Sequence, residues 1–340
     1  MTKMMKCAIY NSIQNVTVEE REIPQVKDND VLVKVLRAGI CGSDVGIYYH
    51  GGENYGVFPG SQFGHEFVGI VVEKGNQVKD DIKIGEKVFV DPVMSQPYGV
   101  GGSTMAGAFS QYALVQNAQV GVNLYPLGDD ADLDKAVIIE PMSVGAQGAL
   151  VYNPKEDDKV VVLGAGPIGL GATAGLIGRG IKNVVVVDRN AYRLEKAKAL
   201  GAHVVNTSNE VLKDRLIEIF GAYPNYIPIP DVDMYVDAAG APSLLTEVFN
   251  YARNHTKYAI VSVFQKVELP GMPFIAAQPL LYGSQGYTHE TIVEVIDHIL
   301  NNKTEIASMV THKFKHEDIS KALEFAASGQ GIKVVIDYEL

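Results

Sequence analysis

Four side chains able to bind a divalent cation lie in three separate stretches of this 340-residue chain: Cys41 in AGICGSD, the adjacent His65 and Glu66 in GSQFGHEFVG, and Glu140 in IIEPMS. Each sits in or beside an apolar run. Burying an imidazole next to a carboxylate costs free energy unless something satisfies both. A bound cation satisfies the pair, whereas a cap or turn satisfies one of them, and a lone cysteine is as readily a small core hydrophobe. Together, thiolate, imidazole and carboxylate make a donor set suited to zinc. Three protein ligands with a fourth position open describe a catalytic site rather than a structural one. The chain has only two cysteines, Cys7 and Cys41, so a Cys-rich structural site is excluded. Adjacent residues of a regular strand point to opposite faces. For His65 and Glu66 to face one ion the backbone must be irregular there. Gly64 permits that, and Phe63 and Phe67 would keep the site dry.

A second constellation follows a strand-like run: Gly164-x-Gly166-x-x-Gly169 in VVVLGAGPIGLG. The first glycine permits a tight turn, the second lets backbone approach a pyrophosphate, and the third lets a helix pack on the strand. The helix N-terminus offers free N–H groups and partial positive charge to phosphates. The next strand-like run ends at Asp188, nineteen residues beyond Gly169. A carboxylate there accepts hydrogen bonds from a ribose diol and repels a 2′-phosphate, which favours NAD over NADP. Arg189 beside it would tolerate the extra phosphate. The alternative is a glycine turn in an α/β protein that binds no nucleotide.

These groups need a scaffold. Residues 1–150 read as short β runs (31–40, 67–75, 86–93) broken by Gly, Asp and Asn, then a helix-like stretch over 132–152 interrupted by Pro141. Strand–helix alternation begins at KVVVLG and continues through NVVVVD, HVVN, MYVDAAG, YAIVSVF and PLLYGSQGY, as a doubly wound parallel sheet requires. The three prolines of YPNYIPIPDVD predict a loop. The tail predicts helices over 290–303 and 317–328, a strand near 309–315 and a last strand in KVVIDYEL. The uncharged run 160–178 has the length of a membrane span, but its six glycines and strand-like start read as strand, turn and helix. Net charge is about −11 with no basic block, which argues against nucleic acid and anionic membranes as partners. The N-terminus lacks an apolar signal region, and a cytoplasmic location is expected.

The motifs GICGSDV, GHEFVG, EPMSVG, VLGAGPIGLG and DRNAYRLEKAKALGA span most of the chain. In them the sequence resembles the zinc-dependent medium-chain dehydrogenases, nearest to the sorbitol (polyol), butanediol and threonine dehydrogenases. The resemblance implies an α/β chain in three stretches: a GroES-like β-rich catalytic domain (1–150), an inserted Rossmann domain with a doubly wound parallel sheet (151–288), and a C-terminal return to the catalytic domain (289–340). It implies one zinc held by Cys41, His65 and Glu66, with Glu140 as a water-linked or alternate ligand. Ile168, Asp188 and Arg193 match NAD-contacting positions. With Gly164, Gly166 and Gly169, and with Val263 and Ser284 from the VSVF and GSQG stretches, they make the expected cofactor set. Ser43, Glu66 and Glu140 make the expected catalytic set. The implied reaction is oxidation of a secondary alcohol, a polyol or sugar-derived alcohol, to a ketone with hydride transfer to NAD.

The alternatives are threonine 3-dehydrogenase-like activity, a non-catalytic NAD sensor of the same fold, and a zinc-free reductase of the quinone-reductase kind. A homo-dimer or homo-tetramer is the family expectation. Two departures stand out. The region DPVMSQPYGVGGSTMAGAFSQY is short and free of cysteine where many relatives bind a structural zinc, so a single zinc per chain is expected. Gly46 replaces a histidine that passes the alcohol proton towards water in such relatives. Ser43 with water, or His50, would take that role, and Asp44 either orients a ligand or forms a turn.

Overall fold

A computed structural model describes residues 3–79, 81–95, 107–224, 226–263 and 266–340. Two compact units are present: Met1–Glu140 with Val310–Leu340, and Pro141–Met309. The first unit begins with β1 (Met4–Ser12), β2 (Asn15–Glu22), β3 (Val31–Gly39), α1 (Gly42–His50), β4 (Ser61–Gln62), β5 (Glu66–Lys74), β6 (Lys87–Val90), β7 (Tyr112–Val115) and β8 (Leu124–Pro126). Alternate β-branched residues decide the packing, because side chains two apart on a strand share a face. Val31, Val33 and Val35 of β3 thus meet Phe67 and Val71 of β5 in one core that also takes in Phe63 and Phe109. The β3–β5 pairing is antiparallel and sets Gly39 opposite Glu66.

The helix-like stretch breaks earlier than Pro141. It forms α2 (Leu133–Ala136) and α3 (Ile139–Leu150), with Val137 and Ile138 between them. Pro141 is the third residue of α3, where a backbone N–H has no acceptor within the helix, so the ring removes nothing.

The second unit carries β9 (Lys159–Leu163), α4 (Pro167–Gly178), β10 (Asn183–Asp188), α5 (Ala191–Ala199), β11 (His203–Asn206), α6 (Leu212–Phe220), β12 (Ala222–Tyr223), β13 (Ile229–Pro230), β14 (Met234–Asp237), α7 (Pro242–Asn250), β15 (Lys257–Ile260), α8 (Gly271–Ala277), β16 (Leu280–Gly283) and α9 (His289–Leu300). Six of these strands form one parallel sheet in the order β11-β10-β9-β14-β15-β16. The strand order reverses between β9 and β14, the switch point of a doubly wound sheet. The proline-rich stretch is loop-like as expected, but short pieces of it pair as a small antiparallel ladder, β12 with β13, setting Ala222 opposite Pro230. Proline is tolerated on so short an edge pair.

α9 belongs with this unit, whereas the sequence assigned everything from 289 onward to the first. Its start is tied to α3: Gln147 Oε1 accepts the Thr288 N–H at 3.1 Å and the Thr291 hydroxyl at 2.6 Å. Its middle is tied to Arg179, which donates to Glu294 at 2.6 Å. The units accordingly part at Glu140 and at Met309 rather than at 150 and 288.

The chain returns to the first unit through β17 (Val310–Phe314), α10 (Ile319–Ala327) and β18 (Lys333–Asp337). β18 lies between β17 and β3 in the sheet β17-β18-β3-β5-β6-β8. Arg37 of β3 fastens this return. It pairs with Asp134 at 3.1 Å, Asp337 at 2.6 Å and Glu339 at 2.8 Å, and Lys313 joins Asp134 at 2.5 Å. The Arg37 and Asp337 side chains are 12% and 5% exposed, so removing the guanidinium leaves a buried carboxylate with only Lys313, at 3.4 Å, as its cation. Arg37→Met should lower the unfolding free energy by about 2–4 kcal/mol, read from the urea midpoint by circular dichroism. An unchanged midpoint would show that solvent already screens the network.

Candidate active site

β3 and Ile40 deliver the chain to Cys41, the N-cap of α1. Asp44 sits three residues on and turns back, so that its Oδ2 accepts the Cys41 N–H at 2.8 Å. This is one arm of a capping box, and it fixes the backbone that carries the thiol. The sequence reading had no helix here; Asp44 at this spacing was the signal for it. On the other side Gly64 adopts φ +89° one residue before His65. A Cβ at Gly64 would also meet the Phe109 ring at 2.7 Å, so conformation and space both require glycine. β5 starts only at Glu66, which leaves His65 outside the regular strand. The strict alternation of faces therefore does not apply to the pair. Cys41, His65 and Glu66 each present one ligand atom, and the three atoms lie within 4.8 Å of one another.

A buried cation completes the cluster. Lys333, the first residue of β18, is 1% exposed; its ammonium pairs with Glu66 Oε2 and donates to the Ile40 carbonyl at 3.0 Å. Burial pulls the Lys333 pKa down, but the Glu66 carboxylate beside it outweighs this and raises it above the ordinary value. Sequence reading missed this residue. The available signal was charge balance, because Asp44, Glu66 and Glu140 in one apolar region require a cation.

The other titrating groups respond to the same field. Burial pulls the His65 pKa down, yet Cys41 and Asp44 hold it well above the ordinary value. Asp44 Oδ1 stands 3.8 Å from His65 Nδ1. Asp44, wholly buried, is pushed up to about 6 by burial, against the pull of His65. Glu140, the second residue of α3, is pushed up to about 7 by burial and then by the charge of Glu66. It feels the cluster but is not one of the three residues whose ligand atoms converge.

Ser43 Oγ, Asp44 Oδ1 and His65 Nδ1 are buried without hydrogen-bond partners. Sulfur, imidazole and carboxylate donors together with these orphaned atoms fit a zinc ion held by Cys41, His65 and Glu66. Asp44 suits the carboxylate that usually orients a ligating histidine.

In the second unit a cleft of about 480 Å³ opens at the switch point. Gly164, Gly166, Asp188, Arg189 and Arg193 are among its lining residues. Gly164 has φ +97°, and a Cβ at Gly169 would strike the Gly164 carbonyl at 1.9 Å. A Cβ at Gly166 would meet nothing, so the space over the start of α4 is free for a ligand. Asp188 is held across this turn: Oδ2 accepts the Ala165 N–H at 2.7 Å and Oδ1 that of Asn190 at 2.8 Å.

A second acid, buried behind the lining residues Ala238 and Ala239, does the same, and the sequence reading passed over it. Asp237 Oδ1 accepts the Ala239 N–H at 3.1 Å, and Oδ2 takes the Ser262 hydroxyl at 2.6 Å. Its signal was its place at the end of β14, matching Asp188 at the end of β10. Ile168 and Gly169 are not among the residues lining the cleft, nor are Val263, which is 95% exposed, and Ser284, which is buried. Phe264 of VSVF and most of the cysteine-free region, residues 96–106, lie outside the described residues. Among the described residues no helix is long and apolar enough to cross a membrane.

Comparison with known proteins agrees with this architecture. A model of the alcohol dehydrogenase GroES-like domain matches residues 27–125, and one of the zinc-binding dehydrogenases matches 167–301. Sorbitol dehydrogenase of Bacillus subtilis (strain 168) is 30% identical over 342 residues, covering 95% of this chain and 93% of the relative. The starvation-sensing protein RspB of Escherichia coli (strain K12) is 32% identical over 343 residues, covering 96% of each. The crystal structure of RspB from E. coli CFT073, a complex with NADH, matches with TM-score 0.83 and 30% identity, covering 98% of this chain and 99% of that one. The chain belongs to the zinc-dependent medium-chain dehydrogenases. Within that family it is an oxidoreductase of the alcohol and polyol dehydrogenase type.

A histidine binds metal only after losing its proton. With the metal-free His65 pKa held above its usual value, zinc loading must release protons. Affinity should therefore fall at least tenfold between about pH 8 and about pH 6. Calorimetry in buffers of different ionisation enthalpy measures this; zinc binding with no proton release would remove His65 from the ligand set. In the metal-free protein the sign reverses. The raised His65 pKa contributes stability below the unfolded value of about 6.5, and that stability is lost as pH rises through the folded value.

Proposed function

We propose that this chain oxidises a secondary alcohol, a polyol or sugar-derived alcohol, to a ketone with NAD as hydride acceptor and one zinc per chain. The observation that carries the reading is the convergence of Cys41, His65 and Glu66, drawn from sequence-distant segments, to within 4.8 Å. Zinc held by these residues would supply Lewis acidity of the kind that lowers the pKa of a bound water from 15.7 to about 7, and would act on an alcohol in the same sense.

The rest falls to side chains. The Asp44 cap and the bend at Gly64 hold Cys41 and His65 in place. Lys333 neutralises one oxygen of Glu66. Glu140, with a pKa of about 7, can exchange between neutral and charged forms near neutrality and serves as the alternate ligand. Ser43, whose Oγ has no other partner, takes the alcohol proton. The electron pair of the carbinol C–H bond leaves as hydride for NAD.

In this reading Asp188 bonds the adenosine ribose, and the free N–H groups at the start of α4 hold the pyrophosphate over Gly164, Gly166 and Gly169. Ile168, Arg193, Val263 and Ser284 complete the cofactor contacts. The family alone supports a cytoplasmic homo-dimer or homo-tetramer.

A second reading is favoured by one finding, that the relative RspB is named a starvation-sensing protein. The chain would then bind NAD without turnover. Metal analysis and a substrate panel decide between the two. We expect about one zinc per chain, lost together with activity on chelation, and NADH formation with at least one member of a panel of polyols, 2,3-diols, sugar acids and threonine. Zinc-loaded protein inert towards the whole panel would favour the sensor, and active protein without metal would sink the zinc mechanism.

Cofactor choice gives an independent check. Asp188→Ser removes the carboxylate that repels a 2′-phosphate. It should shift the ratio of kcat/KM for NAD over NADP by about 10- to 100-fold towards NADP. An unchanged ratio would place the discrimination elsewhere.

A further inference from the structure

If an alcohol is oxidised at this cluster, as the preceding reading holds, its proton must travel from a buried site to water. Ser43 is the first stop, with Oγ buried and unpartnered. Ser43, Gly46 and His50 are spaced i, i+3 and i+7 along α1, so they lie on one stripe of the helix. The stripe runs outward: Ser43 and Gly46 are half-buried and His50 is exposed.

Its middle position carries no side chain, and another residue fills the space. A Cβ at Gly46 would meet Tyr55 Oη at 2.7 Å and Cζ at 3.2 Å. The chain after α1 is built to bring that phenol back. Gly51, at φ +99°, ends the helix with its N–H on the Ile47 carbonyl at 3.2 Å. Gly52 then packs so closely that a Cβ would strike the Val57 carbonyl at 2.2 Å. A 3-10 turn over Glu53–Tyr55 follows, with the Tyr55 N–H on the Gly52 carbonyl at 2.8 Å. A hydroxyl is thereby set on the stripe one helical turn beyond Ser43.

We propose that the Tyr55 hydroxyl relays the substrate proton from Ser43 towards His50 and solvent, in the space that Gly46 leaves open. The alcohol O–H bond breaks and its proton goes to Ser43 Oγ while the Ser43 proton passes to Tyr55 Oη through one intervening water, because Ser43 Oγ has no hydrogen-bond partner of its own. The Tyr55 proton passes to the His50 imidazole or to water. The C–H bond breaks with its electron pair going to NAD, and the C=O bond forms. Alcohol and NAD+ become ketone, NADH and one released proton. Each hydroxyl accepts as it donates, so neither has to ionise. Tyr55 acts through Ser43 and touches no reacting atom; it is a positioning residue.

Two variants of the full, zinc-loaded chain test this. Tyr55→Phe keeps the ring and removes the hydroxyl. It should slow single-turnover NADH formation about ten- to a hundredfold, with zinc content and NADH affinity unchanged, and added imidazole should restore much of the rate. Gly46→Ala keeps the phenol but displaces its hydroxyl, and should slow the same step. A readout independent of activity comes from thermal unfolding. Gly46→Ala should lower Tm by several degrees in the parent and by clearly less in the Tyr55→Phe background, where the closest atom is gone.

Turnover by Tyr55→Phe equal to the parent, a loss that imidazole does not rescue, or an equal Tm cost in both backgrounds would each overturn the relay while leaving alcohol oxidation intact. A zinc-loaded parent inert towards every alcohol would overturn the proposed function and the relay together.

Discussion

The charge balance around Glu66 governs the first unit. A carboxylate 1% exposed, beside a thiol and two further buried carboxyl groups, is sustainable only with cationic partners at bonding distance. Lys333 is the permanent one, equally buried and anchored to the Ile40 carbonyl at 3.0 Å. His65 is the second, its pKa held well above the ordinary value by Cys41 and Asp44. In the proposed zinc site its proton would give way to the metal, so the cluster would keep one fixed positive charge and one exchangeable one.

Backbone devices make the balance geometrically possible. Cys41 is set by a helix cap, His65 by a left-handed glycine, Glu66 by strand pairing and Lys333 by the first residue of the returning strand. None of the four depends on a long loop. The Asp44 carboxylate serves twice, as cap for the Cys41 N–H and as a buried charge beside His65. A site supported in this way tolerates little drift, since Glu66 belongs to β5 and Cys41 and His65 each directly adjoin an element whose position the core already decides. The Arg37 network adds to this by fastening the same strand return from its far end.

The second unit solves a different problem with repeated parts. Two strands of its sheet end in acids, Asp188 and Asp237, and each acid turns back to bond main-chain N–H groups of the turns that follow the strands. The glycine turn between them has one residue, Gly169, that must lack a side chain for packing and another, Gly166, whose missing side chain leaves open space. The first requirement belongs to the fold, whereas nothing in the packing requires glycine at the second. Family membership and an NADH-bound relative of 30% identity concern the whole chain, but the division between glycines that packing requires and those it does not is visible only residue by residue.

What the sequence determined is what neighbouring residues determine among themselves. Strand–helix alternation, the glycine turn and its acid, the cysteine arithmetic and the need for an irregular backbone at His65 all follow from local spacing, because period, φ and capping are set within a few residues. The cap at Asp44, the break at Val137 and Ile138 ahead of Pro141, and the β12–β13 ladder were local too, but each was masked by a stronger neighbouring signal. Tertiary structure alone decided which distant groups share a desolvated space: that Lys333 meets Glu66 across more than two hundred and fifty residues, that α9 joins the second unit, and that Tyr55 occupies the room left by Gly46. The reason is physical. Burial and charge compensation depend on proximity in space, and proximity between remote segments is fixed by the packing of whole strands and helices, which no local pattern encodes.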